Sequence, residues 1–456
     1  MTRFTKITAS IGPVSEDKDS ITRLISAGVN VFRLNFSHDT GDIQGAKIDM
    51  IRGMAEKLGK PVAIMVDIQG PKHRIGDFAT DKHYPLRVGQ KFILDSDTTP
   101  GNEHRVQLPD MDVIHSLSVG DRVLLNDGKI ELRVDAVFDD KIETTVVRGD
   151  EIWSRRGFNL PDTDIDTSIL TRKDRADLEY AITKDPDFVA VSFVQRAEDI
   201  AFVRDFINAR TSHPIKIVAK IERPNAVHRI TDIAAAADAV MIARGDLAVE
   251  MPFEQVPAIS RQIIRECRKL NRPVIMATQM LSSMVHSEFP TRAEISDVAT
   301  AAYLRADSTM TSEETTIGDN PENVIKTMDK ILAYADSDTI ANPYDWSRVD
   351  NIPENDWSKS VVSMAALNKV SAIVVFARET DATIQIACRR PDIPIIAVCS
   401  DTVIANQLCL SRGVFPICDG YLFGQRDAFN SVRQFGIGTG KLVIVDEDKV
   451  SLRTLD

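Results

Sequence analysis

Near residue 33 the chain reads Val31-Phe32-Arg33-Leu34-Asn35-Phe36-Ser37-His38, alternating apolar and polar. Successive side chains of a strand take opposite faces, so Arg33, Asn35 and Ser37 share one and Phe32, Leu34 and Phe36 the other. Three polar groups in register near the end of a buried strand are costly unless they bind something or satisfy one another in a network. A second run, Val218-Ala219-Lys220-Ile221-Glu222, sets Lys220 and Glu222 on one face, and a third, Ile242-Ala243-Arg244-Gly245-Asp246, ends in another carboxylate. Two carboxylates from neighbouring strands suit Mg2+, which takes hard oxygen ligands and leaves positions for substrate oxygens and water. Lys220 beside such a metal would neutralise charge on a transferring phosphoryl group; a buried Lys220-Glu222 ion pair is the plainer alternative. A fourth run, Ala277-Thr278-Gln279-Met280, brings a hydroxyl to the same rim, and Pro290-Thr291-Arg292-Ala293-Glu294 follows in the loop beyond.

Parallel strands alternating with helices would hold these groups together. Runs rich in β-branched residues at 5–11, 29–36, 61–68, 188–193, 215–222, 239–244, 273–279 and 308–312 are separated by helical stretches. Eight such strands close a (β/α)8 TIM barrel, whose reactive residues gather at the C-terminal strand ends. Between the third and fourth lies an insertion whose runs at 90–95, 121–125, 129–137 and 141–147 alternate and break at Asp-Gly and Asp-Asp turns, predicting a small antiparallel β-barrel. After a stretch of little periodicity, α/β alternation resumes with strands at 372–377, 394–400, 414–417 and 441–446 and helices at 384–390 and 403–412, predicting a doubly wound domain. The expected division is 1–70 and 171–336 for the barrel, 71–170 for the insertion, 337–359 for a linker and 360–456 for the C-terminal α/β domain.

At 456 residues the chain is too long for one core. Its net charge of -12 argues against nucleic acid or anionic membrane as partner, because phosphate backbones reward clustered Lys and Arg. No apolar run approaches the roughly 18 residues needed to cross a bilayer. The N-terminus goes directly into a strand-like pattern without an apolar signal core, which predicts a cytoplasmic protein. Five widely spaced cysteines without a C-x-x-C pair read as buried free thiols.

Eight phrases, in order, resemble the pyruvate kinase family: Ile11-Gly12-Pro13, Arg33-Leu34-Asn35-Phe36-Ser37-His38, Asp67-Ile68-Gln69-Gly70-Pro71, Gly157-Phe158-Asn159-Leu160-Pro161, Lys220-Ile221-Glu222, Ala243-Arg244-Gly245-Asp246-Leu247, Ala277-Thr278-Gln279-Met280-Leu281 and Pro290-Thr291-Arg292-Ala293-Glu294. The resemblance spans the whole chain, and the insertion after strand three is where that family has its small barrel. It implies Mg2+-dependent phosphoryl transfer from phosphoenolpyruvate to ADP in glycolysis, giving pyruvate and ATP, with Mn2+ able to replace Mg2+. It further implies a homo-oligomer, usually a tetramer.

By the same resemblance, Glu222 and Asp246 would hold the metal, and the backbone of Ala243, Arg244, Gly245 and Asp246 would receive the substrate carboxylate. Lys220 would stabilise the phosphoryl group in flight, and Arg33 would contact the same phosphate. Thr278 would stand near the enolate carbon, passing a proton through water and Ser312. Arg74, Asn35, His38, Arg156 and Asp127 would serve the nucleotide, Asp127 descending with the insertion as a lid; an Asp-Gly turn without a ligand is the alternative for Asp127.

Departures from the family pattern carry their own expectations. Most members end strand three with Asp-Thr-Lys-Gly-Pro-Glu and use K+ bound by residues matching Asn35, Ser37 and Asp67; here Lys72 replaces that Glu, and its ammonium would occupy the cation's charge position, making K+ unnecessary. Glu313 stands where a glycine is usual, which would add bulk and negative charge to the loop. The loop Ala377-Arg378-Glu379-Thr380-Asp381-Ala382-Thr383 lacks a glycine and carries two carboxylates that would repel a phosphate, so no activation by fructose 1,6-bisphosphate is expected. Two other functions compete: a Mg2+-dependent lyase acting on pyruvate enolate, and a silent sensor of phosphoenolpyruvate. A sensor has no need of groups useful only in a transition state.

Overall fold

The computed structural model describes residues 2–80, 82–163, 168–341, 356–447 and 449–455. Eight parallel strands close into a barrel: β1 (Lys6–Ser10), β2 (Val31–Asn35), β3 (Ala63–Ile68), β4 (Phe188–Val191), β5 (Lys216–Ile221), β6 (Ala239–Ala243), β7 (Val274–Ala277) and β8 (Ser308–Thr311), with β1 pairing with both β2 and β8. Alternate residues face opposite ways. Phe32, Leu34, Ile64 and Val66 join the apolar layer between strands and helices, whereas Val31, Met65, Ala190, Val218 and Met241 fill the barrel interior. Cys409 and Leu410 belong to the interior cluster, so the C-terminal domain plugs the barrel floor. In the helix Val256–Lys269, Val256, Ile259, Ile263 and Cys267 recur at helical spacing and are the buried side.

The insertion has its own core. Its six-stranded sheet runs Phe158–Asn159, Arg122–Leu125, Ile130–Val137, Lys141–Arg148, Lys91–Asp95, Arg105–Gln107, antiparallel except for the last pair. Leu125, Leu132, Ile142, Phe92, Val106 and Phe158, from all six strands, meet in one cluster with Ile114 of the helix Met111–Ser116. The sheet therefore wraps around a single interior. Asp174 ties both ends of the insertion to the barrel: its carboxylate accepts from the Gly70 amide at 3.0 Å and from the Thr171 hydroxyl at 2.5 Å, the second contact belonging to a capping box on the helix Arg172–Ile182.

The expected linker is helical at both ends. The helix Pro321–Ala341 runs through Ser337, and Trp357–Leu367 begins before residue 360; residues 342–355 lie outside the described residues. Weak periodicity hid these ends because few side chains there are apolar. The C-terminal sheet has the order Val414–Cys418, Ile395–Cys399, Ala372–Ala377, Gly440–Asp446, Lys449–Leu455, with the last strand antiparallel. The sequence pattern missed that fifth strand, whose exposed Lys449, Arg453 and Thr454 break the apolar run. Ile373 and Val375 face one apolar cluster, Val374 and Phe376 another, so helices cover both sides as in a doubly wound fold. Cys267, Cys388, Cys399 and Cys409 are buried free thiols; Cys418 is free but exposed, because it ends an edge strand.

Candidate active site

The inward-facing positions turn polar at the C-terminal ends of β2 to β6. Val31, Arg33 and Asn35 share the interior face of β2, and the register sets Asn35 beside Asp67 of β3. Ala190 of β4 lies on the other side of Asp67. Alternation then carries Lys220 and Glu222 inward after Val218.

Asp67 is the hub. Its Oδ2 accepts from Arg33 Nε at 2.6 Å and its Oδ1 from Lys220 Nζ at 3.2 Å, with the Asp67 side chain 2% exposed. Burial opposes the Asp67 charge, but the two cations beside it outweigh that and hold its pKa below the ordinary carboxylate value. Arg33 also donates to Ser10 Oγ at 3.0 Å. The Lys220 ammonium reaches Glu222 Oε1 at 3.0 Å and Ser192 Oγ at 2.6 Å. Burial disfavours its charge, yet Asp67 and Glu222 raise its pKa above the usual lysine value.

Glu222 takes the opposite shift. Burial lifts its pKa, Lys220 opposes the rise, and the nearby Asp246 charge adds to it. Its Oε2 accepts from the Phe193 amide at 2.7 Å, and Phe193 holds a φ of 59° to make that contact. Two carboxylates whose charges resist one another suit a divalent cation. Glu222 and Asp246 could give such a cation two hard oxygen ligands, the kind Mg2+ prefers.

Ala243 ends β6, and Arg244–Glu250 forms a short helix immediately after it. The Gly245 amide donates to Thr278 Oγ1 at 2.8 Å, and that hydroxyl donates to the Ala277 carbonyl at 2.7 Å. Thr278 and Gln279 sit at φ of 70° and 55°, a left-handed conformation that is strained for a β-branched residue. The Arg244 side chain turns away from the interior: it donates to the carbonyls of Ala277 at 3.1 Å and Thr278 at 2.8 Å and pairs with Asp297 at 2.7 Å. Only its backbone remains for a ligand. Ser312 follows β8, its amide donating to Glu314 Oε2 at 2.7 Å, while Glu314 Oε1 accepts from Leu281 N at 3.1 Å. Buried Glu314 thus fixes the loops after β7 and β8 together. Glu313 is exposed and opens the one-turn helix Glu313–Thr316 without a positive φ, so the glycine usual at that position is not needed for this backbone.

The remaining expected residues form no single cluster. Asn35 Oδ1 accepts from the Ser37 amide at 3.1 Å. His38 and Arg74 are exposed, and Arg74 donates to the Arg155 carbonyl at 3.1 Å. Arg156 lies 4.8 Å over the Trp153 ring. Asn126 and Asp127 both have φ of 52°, an Asn-Asp hairpin turn; exposed Asp127 precedes Gly128, where an added Cβ would lie 3.3 Å from Val249. The insertion therefore reaches the helix that carries Asp246. Lys72 is not brought to Asn35, Ser37 and Asp67. It is exposed, with its Cε near Gly157, and the positive charge on Asp67 comes from Arg33 and Lys220. Lys72 lies beyond the end of β3, where strand alternation no longer dictates direction.

Sequence reasoning missed Ser10, Ser192, Glu314 and the trio Asn159, Arg223 and Glu250. Asn159 Nδ2 donates to Glu250 Oε1 at 2.8 Å, and Arg223 Nε to Glu250 Oε2 at 3.2 Å, so the insertion's return strand is bonded to the barrel rim. Ser192 was within reach: the inward alternation Phe188, Ala190 leads to it.

The model of the family "Pyruvate kinase, barrel domain" matches residues 2–325, and "Pyruvate kinase, alpha/beta domain" matches residues 355–446. A pyruvate kinase of Methylorubrum extorquens is 40% identical over 91% of this chain and 86% of its own. One of Thermococcus litoralis is 36% identical over 95% and 92%. A crystal structure of a pyruvate kinase from Cryptosporidium parvum superposes with a TM-score of 0.92 at 28% identity, covering 100% of this chain and 96% of that one.

Proposed function

Because the chain belongs to the pyruvate kinase family and is a phosphotransferase of that kind, we propose that Lys220, Arg33, Glu222, Asp246 and Thr278 carry Mg2+-dependent transfer from phosphoenolpyruvate to ADP. The observation that supports this is the Lys220 ammonium held between Asp67 and Glu222, at 3.2 and 3.0 Å, at the mouth of the barrel. A cation kept protonated there offsets the charge of a phosphoryl group passing between two oxygens. Arg33 is oriented by Asp67 and Ser10 toward the same space. Glu222 and Asp246 would hold the Mg2+, which when bound polarises phosphoryl and carboxylate oxygens; Mn2+ would substitute. The amides at the start of the helix Arg244–Glu250 would receive the substrate carboxylate. Thr278 would hold the path by which a proton reaches the enolate carbon through water and Ser312, since an unperturbed hydroxyl is a poor acid by itself.

Asn35, His38, Arg74, Arg156 and Asp127 would hold the nucleotide. The reaction would proceed without added K+, because Arg33 and Lys220 already neutralise Asp67. Fructose 1,6-bisphosphate would not activate, because Glu379 is exposed and Asp381 is 71% exposed in the loop such a phosphate would enter. The working state would be a cytoplasmic homotetramer. Phe253 and Phe289, 78% and 76% exposed, offer barrel surface that a subunit would cover, and no helix among the described residues is long and apolar enough to cross a membrane. Exposed Glu313 removes the feature that favoured a silent sensor.

The test is pyruvate formation from phosphoenolpyruvate, ADP and Mg2+ by wild type and Lys220→Met. Turnover in the wild type that vanishes in the variant is the expected result. Binding of phosphoenolpyruvate without turnover in the wild type would overturn the reading.

A further inference from the structure

Lys220 has three hydrogens to donate and three acceptors within reach: Asp67 Oδ1 at 3.2 Å, Glu222 Oε1 at 3.0 Å and Ser192 Oγ at 2.6 Å. Two of the three are anionic, and one of those, Glu222, is a metal ligand in the function proposed above. An ammonium drawn fully onto Glu222 would compete with the metal for the same oxygen. Something must hold it off.

Ser192 is built for that. It is 2% exposed, directly after β4. Its hydroxyl donates to the Ile68 carbonyl at 2.9 Å, with Asp67 Oδ1 a more distant 3.4 Å. With its one proton committed to Ile68, the oxygen can only accept from Lys220. Gly70 comes close to the Ser192 backbone: a Cβ at Gly70 would lie 3.1 Å from Ser192 Cβ and 3.0 Å from the Ser192 carbonyl oxygen, and Gly70 has a φ of 69°. The next residue, Phe193, gives its amide to Glu222 Oε2 at 2.7 Å. Two consecutive residues after β4 therefore position the two reactive side chains on β5, one through its hydroxyl and one through its backbone.

We propose that Ser192 is a positioning residue that shares the Lys220 ammonium with Glu222 and so weakens its hold on that carboxylate, which lets Glu222 turn to the divalent cation and Lys220 to the phosphoryl group. This rests on the roles given above to Lys220 and Glu222. Ser192→Ala removes the neutral acceptor that Lys220 has among the described residues, and Ser192→Cys keeps the volume but substitutes a weak one.

Binding of Mn2+, followed by electron paramagnetic resonance without nucleotide and hence without turnover, reads the competition directly. Both variants are expected to bind Mn2+ on the order of tenfold more weakly than wild type, the scale of a hydrogen bond to a charged group. In a Lys220→Met background, Ser192→Ala is expected to change Mn2+ affinity by less than about twofold, since no ammonium remains to compete. Unchanged Mn2+ affinity in Ser192→Cys, or an equal loss with and without Lys220, would overturn the proposal. Loss of Mn2+ binding in Glu222→Gln tests the metal site separately: if that variant binds Mn2+ as wild type does, the underlying site reading fails instead.

Discussion

Arg390 of the C-terminal domain donates to both carboxylate oxygens of Asp307, at 2.9 and 2.5 Å, just before β8 begins, and the two side chains are 1% and 0% exposed. Asp307 also accepts from the amides of Val274 and Arg412, at 2.9 and 3.0 Å. One carboxylate thus joins β7, β8 and the C-terminal domain beneath the barrel. Removing one member of such a pair leaves a buried charge uncompensated. Arg390→Met is expected to destabilise the protein by about 3–5 kcal/mol, read as a lower urea midpoint; an unchanged midpoint would show the pair to be dispensable.

Lys6, on β1, is buried at the same junction, donating to the Val414 carbonyl and lying 4.4 Å from the Phe415 ring centre. Burial, aided by the positive charges of Arg3 and Arg412 against the opposing Cys409 and Asp336, pushes its pKa down to about 7 from 10.5. Between those values the unfolded chain binds the proton that the folded chain has lost, so stability should rise with pH across about 7 to 10.5. Below pH 7 both states are protonated and the full penalty of the buried charge remains. Lys6→Met should flatten that rise and stabilise the protein most on the acid side. Identical pH profiles of Tm for wild type and variant would contradict the assignment.

Thr278 combines a strained backbone with a hydroxyl fixed by Gly245. Thr278→Ser keeps the hydroxyl and sheds the branch that makes a φ of 70° costly. It is expected to retain exchange of pyruvate methyl protons with deuterated solvent to within a few-fold. Thr278→Ala should slow that exchange by about 10²–10⁴, more than it alters binding of phosphoenolpyruvate. Equal exchange rates in the two variants would remove Thr278 from the proton path.

Glu313 and Glu314 are adjacent and should behave oppositely. Glu313 is exposed, so Glu313→Gly should change kcat little and stability within about 1 kcal/mol. Glu314, 1% exposed, accepts the amides of Leu281 and Ser312; Glu314→Ala leaves both amides without that acceptor and should lower kcat as well as Tm. A large gain in kcat from Glu313→Gly would restore the view that this glutamate obstructs the site.

Replacing KCl with a tetramethylammonium salt should leave the rates of wild type and of Lys72→Glu equally unchanged, because Lys72 is exposed and Arg33 and Lys220 already neutralise Asp67. A Lys72→Glu variant whose rate depends on K+ would return the cation's role to Lys72.

The eight-strand barrel, the inserted sheet and the doubly wound domain were legible because each obeys a local rule: period-two alternation, helical spacing, and turn residues at the joints. The same alternation put Arg33 with Asn35 and Ser37, and Lys220 with Glu222, on a shared face at a strand end, and Asp246 was legible as the carboxylate that closes the run ending β6. What alternation leaves open is which group meets which across the barrel. That Asp67 binds both Arg33 and Lys220, that Ser192 links Lys220 to the Ile68 carbonyl, and that Arg244 points outward to β7 depend on strand register and on the closing of β1 against β8. Lys72 shows the limit most plainly. Its charge was readable from one position in the chain, but its distance from Asp67 was set by the path of the backbone after Gly70, where no periodic structure constrains it. The sequence by itself determined the elements and the chemistry at their ends, because these follow from neighbours along the chain. The pairing of those ends came from tertiary structure, because contacts between residues on different strands, 28 to 153 positions apart in the cases above, arise from packing the barrel as a whole.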